Sequence, residues 1–136
     1  MVSRINEGAK AVAVALPEIA EFVREGAIMN TLALWDTEEL LGVGGFDPRD
    51  RKPRTSDHYA SSNAGVGEFI PLLRMREKLG RPVLAIATPV AHGPVDIPSD
   101  RQELHKKKIA SKRARIEGML KEIGRSAADL RACIMH

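Results

Sequence analysis

Residues 99–124 read SDRQELHKKKIASKRARIEGMLKEIG, and the periodicity of this stretch decides the fold. At 100° per residue, Ile116, Leu120 and Ile123 fall within about 40° of the Ile109 direction. His105 and Gln102 extend the same stripe toward the N-terminus. That is helical spacing, not strand alternation. Ser99 and Gln102 have the separation of a capping box after Pro98. Gly124 supplies the stop. A helix over 99–123 is expected, about 36 Å long.

Its apolar stripe is narrow and strongest in the C-terminal half. The other half carries KKKIASKRAR, residues 106–115, with six basic side chains in ten positions and no acid. Lys106, Lys112 and Arg113 flank the stripe closely enough to lay their stems along it. Lys107, Lys108 and Arg115 lie around the remaining circumference, so the charge forms a collar. Lys108 with Lys112, and Lys112 with Arg115, are like-charge neighbours at helical spacing. An anion would relieve them. The arrangement predicts a helix anchored by its C-terminal half that presents its basic half outward.

Working outward, Ser126 and Asp129 repeat the capping spacing, and a short last helix is expected over about 127–134. Upstream, RPVLAIATPV, residues 81–90, is a continuous apolar run between prolines and reads as a strand buried on both faces. Residues 95–97 offer a short third strand. Residues 68–79 return to helical spacing, with Phe69, Leu72, Leu73 and Leu79 on one side, Pro71 in the first turn and Gly80 at the end. Residues 27–35, AIMNTLALW, read as a second buried strand, followed by one helical turn at Thr37–Leu41. Strand, helix and strand across 27–90 permit a parallel crossover. At the N-terminus, Ala-rich residues 3–15 and residues 17–25 read as helices, the second ended by Gly26. The whole is an α+β fold, a mostly helical single domain over 1–136, with a small sheet of two to three strands and a basic helical segment over 99–135.

Composition bounds the function. The chain has 136 residues, a size for one domain, and 5 aromatic residues, too few for a site built on base stacking. Its net charge of +3 is uneven. Residues 1–98 hold 11 basic and 13 acidic side chains, while residues 99–125 hold 9 basic and 4 acidic. A mildly acidic body thus carries a basic C-terminal segment, which points to an anionic partner. The lone Cys133 excludes an intramolecular disulfide and suggests a reducing, cytoplasmic setting. No apolar run approaches the roughly 20 residues of a membrane helix. The start of the chain reads as folded structure, not a signal peptide, since Glu7 and Lys10 precede a short apolar run.

The leading expectation is contact with nucleic-acid phosphates, DNA or RNA, through Lys106, Lys107, Lys108, Lys112, Arg113 and Arg115, with little sequence preference. The alternative is a protein–protein or self-assembling role, with the basic helix on an acidic surface and an exposed sheet edge pairing between copies, giving a homo-oligomer. Catalysis comes third. The Gly/Pro-rich loop over 42–67 holds Asp57, His58, Ser61, Ser62 and Asn63, but without a nucleophile-elbow pattern or phosphate-loop spacing. No enzyme activity and no cofactor are expected. Cys133 and His136 have ligand-like spacing, but a structural zinc wants four ligands, and no metal site is expected.

Overall fold

The computed structural model describes residues 2–15, 23, 24, 26, 33–46, 67–87 and 98–136. Their element order is α1 (Val2–Asn6), β1 (Ala11–Val14), β2 (Ala33–Trp35), α2 (Thr37–Gly42), a 3-10 turn (Gly67–Phe69), α3 (Ile70–Leu79), β3 (Leu84–Ala87), α4 (Ser99–Glu122) and α5 (Ala127–Arg131). The fold is α+β, mostly helical, with a small mixed sheet and a long C-terminal helix, as the periodicities predict.

The sheet order is β2-β1-β3. β1 runs antiparallel to β2, pairing Val12 with Leu34, and parallel to β3, pairing Val12 with Ala85. This corrects the N-terminal helix expected over 3–15. Only Val2–Asn6 is helical, and Gly8 ends it at φ 102, a backbone setting that favours glycine. The following AVAV segment becomes the central strand, buried at all four positions. Alanine favours helix by a fraction of a kcal/mol per residue, and pairing on both edges in a closed core outweighs it. The parallel crossover therefore joins β1 to β3. It does not join β2 to β3, which flank β1 from opposite sides.

The C-terminal tail covers the start of β3. The Cys133 carbonyl accepts hydrogen bonds from the N–H groups of Val83 (2.9 Å) and Leu84 (2.8 Å), and the Met135 N–H donates to the Leu84 carbonyl (2.8 Å). Ile134 thereby forms a parallel bridge with Leu84. This contact shortens the last helix to Ala127–Arg131 from the expected 127–134.

The core lies between the sheet and helices α3, α4 and α5. Phe69, Leu72 and Met75 meet Leu84, Ile116, Met119, Leu120 and Leu130 there. Gly26 packs against α5 so tightly that any β-carbon there would collide with the Leu130 backbone. Around this core, ion pairs tie elements distant in sequence. Lys10 reaches Asp36 at 2.8 Å, Lys78 reaches Glu39 at 2.8 Å, and Arg125 pairs with Glu77. Asp36 also caps α2, its carboxylate accepting from the Glu39 N–H at 3.2 Å.

Of the remaining expectations, the strand over 95–97, most of the helix over 17–25 and residues 47–66 of the long loop lie outside the described residues. Asp57, His58, Ser61, Ser62 and Asn63 are among them.

Candidate nucleic-acid interface

Helix α4 starts differently from its sequence pattern. Ser99 lies inside the helix, and Pro98, which takes the capping position, makes no side-chain cap hydrogen bond. The other end follows the pattern. Gly124 adopts φ 67, and Ser126 with Asp129 closes a full capping box at the start of α5. There the Ser126 N–H and hydroxyl donate to one Asp129 carboxylate oxygen at 2.8 and 2.9 Å. These bonds, the backbone one first, hold the Asp129 carboxyl below the usual carboxylate range.

The buried residues of α4 are Arg115, Ile116, Met119 and Leu120. Ile109 and Ile123 are half-buried against the same core. The anchored half is thus the C-terminal one. No residue between Ser99 and Ala114 is fully buried, and Leu104 is exposed.

The six basic residues of the run divide into two groups. Lys106, Lys107 and Lys108 are exposed. At consecutive positions they point about 100° apart and ring the helix. Arg101, one to two turns earlier and outside the run, is exposed as well. Lys112 and Arg113 are half-buried, and Arg115 is only 9% exposed. The Arg115 guanidinium folds back on its own helix, its Nε–H donating to the Ser111 carbonyl at 3.3 Å. Burial, and then the charge of Lys108, push the Lys112 ammonium below the usual lysine range. The Glu68 carboxylate opposes that shift, and Arg115 adds to it. Glu68 sits in the 3-10 turn before α3 and is 8% exposed.

The second half of the run thus turns toward the body, and its Lys112 lies within reach of the Glu68 carboxylate ahead of α3. Glu68 is the residue that sequence periodicity does not reveal. It reads as an ordinary helix-start acid, and only folding brings it near Lys112, more than forty positions away. Arg101 was within reach of the sequence, being on the same helix, but it lies outside the acid-free run.

Among the described residues, no group of three or more His, Cys, Asp and Glu side chains is placed to hold a metal ion. Cys133 is buried, and burial pushes its thiol up to about 11. Its S–H donates to the Asp129 carbonyl at 3.5 Å. No described helix is long and apolar enough to cross a membrane. Comparison with known protein families, curated proteins and solved structures finds no match.

Proposed function

We propose that this protein binds nucleic acid through the exposed collar of α4, contacting phosphates with little sequence preference. The observation that carries the reading is the exposure of Lys106, Lys107 and Lys108 on a helix half that buries no residue. Three adjacent ammonium groups, with Glu103 one turn before Lys107 as the nearest acid upstream on the helix, form a site whose affinity comes from counterion release. Arg101 adds a fourth cation. Lys112, Arg113 and Arg115 support the helix from the body side. In this reading the protein is a binding accessory and not an enzyme. A reducing, cytoplasmic setting suits its single thiol.

The test is fluorescence anisotropy with a labelled generic duplex and a single strand, from low to physiological salt. Binding should weaken linearly with the logarithm of salt concentration. Replacing Lys106, Lys107 and Lys108 together by Gln should reduce that slope by about three at most, with circular dichroism unchanged. No binding at low salt, or an unchanged slope in the triple variant, overturns the proposal.

A second reading is docking between proteins, including self-assembly. It is favoured by three exposed large apolar side chains, Leu34 in β2, Leu41 in α2 and Phe46 just beyond α2. Light scattering at rising concentration tests it. A strictly monomeric protein would remove self-assembly.

A further inference from the structure

The outward face of α4 between Lys106 and Ala114 has a form that selects among nucleic acids. At 100° per residue, Lys107, Ala110, Ser111 and Ala114 share an arc of about 100°. That arc points away from the buried Ile116 and Leu120. Ala110 and Ala114 are exposed, so the strip is low beyond Lys107, which stands at its N-terminal end. Lys106 stands about 90° to one side of the strip's centre and Lys108 about 110° to the other. Both are exposed. Asp100 and Glu103 bound the strip upstream and Glu117 bounds it downstream, which leaves thirteen residues, 104–116, without an acid, and the window of residues 106–114 lies within them.

We propose that this window lies in the major groove of duplex DNA, with Lys106 turned to the phosphates of one strand and Lys108 to those of the other. The inference rests on the nucleic-acid reading above and names its ligand. A B-form major groove is about 12 Å wide and admits a helix. The alanines let the helix backbone sink toward the groove floor, and the lysine on each flank meets a different strand. A single strand offers one backbone and engages one flank. The major groove of duplex RNA is too narrow for a helix. Alanines and a single lysine on the floor read few base edges, which agrees with weak sequence preference.

The test uses the full chain and three labelled probes of one sequence: duplex DNA, duplex RNA and single-stranded DNA. Duplex DNA should bind tightest. Ala110→Leu and Ala114→Leu place a bulky side chain on the strip, where the native side chain is solvent-exposed. Leucine favours helix nearly as well as alanine, so folding is preserved and circular dichroism verifies it. Each variant should lose about tenfold or more for duplex DNA, which corresponds to about 1.4 kcal/mol, and keep its affinity for the single strand. Ala110→Ser, similar in volume, should bind like the parent. Equal affinity for the three probes, or leucine variants that bind duplex DNA like the parent, overturns the groove placement while leaving phosphate binding intact. Absence of binding to every probe overturns both.

Discussion

From Ser99 to Ala114 helix α4 buries no residue, whereas from Arg115 to Leu120 four of six side chains are buried. The first stretch holds six cations and the second one, Arg115, yet burial in the core begins within the basic run and not beyond it. The difference lies in what the rest of the chain places beside them. The C-terminal half meets the core residues Phe69, Leu72, Leu84 and Leu130, and just before it the Glu68 carboxylate acts on the half-buried Lys112. The N-terminal half carries Lys106, Lys107 and Lys108 in solvent. The same residue type thus serves attachment in one half and display in the other. Burial separates the two, and a charge count along the sequence does not.

The widest gap between the halves should appear in stability. Leu120→Ala opens a cavity in a closed core and should cost about 2–5 kcal/mol. Leu104→Ala, on the displayed half and already 68% exposed, should change stability by less than about 0.5 kcal/mol. Urea unfolding of both variants measures this. Equal losses would mean that the first half is packed after all.

A smaller effect separates the cations themselves. Arg115→Met removes the bond to the Ser111 carbonyl and a buried charge near Lys112, and should destabilise by about 1–3 kcal/mol. The triple Gln variant of Lys106, Lys107 and Lys108 should unfold within about 0.5 kcal/mol of the parent. Nucleic-acid affinity should respond in the opposite order. If Arg115→Met weakens binding more than the triple variant at equal folded fraction, the site lies on the body side of the helix.

Much of this architecture was legible in the sequence. The i, i+4, i+7 spacing of Ile116, Leu120 and Ile123, the Ser126–Asp129 spacing and the glycines at 80 and 124 mark local structure, and local structure is encoded locally. β1 was not legible. Ala11–Val14 alternates helix-favouring Ala with strand-favouring Val inside an Ala-rich stretch, and the partners that settle it as a strand, β2 and β3, lie tens of residues away. The sheet register followed the same long-range logic. For the candidate site, the lysines were evident, but the inward turn of Arg115 was not. The Ser111 carbonyl that holds it lies one turn away and every helix offers such a group. What selects this geometry is the burial of that turn against the core.

The gentlest probe of the contrast is acid. The carboxyl of Asp36 is held below its ordinary value of 3.8, by the Lys10 ammonium first and the Glu39 N–H second. Asp129 is lowered through its bonds from Ser126. A depressed carboxyl contributes stability above its unfolded value, and that stability is lost as pH falls through the folded value. Both residues sit on the body side, in the anchor of the fold. Stability should therefore decline from about pH 4 downward, and the decline should be shallower in Asp36→Asn, which keeps a capping oxygen but loses the charge that pairs with Lys10. The triple Gln variant of the collar should retain the parent's acid profile, because Lys106, Lys107 and Lys108 touch neither carboxylate. Thermal melts between pH 6 and pH 2.5 compare the three. An acid slope in Asp36→Asn as steep as the parent's would detach acid sensitivity from this network, and a slope altered in the collar variant would tie the displayed half back to the body.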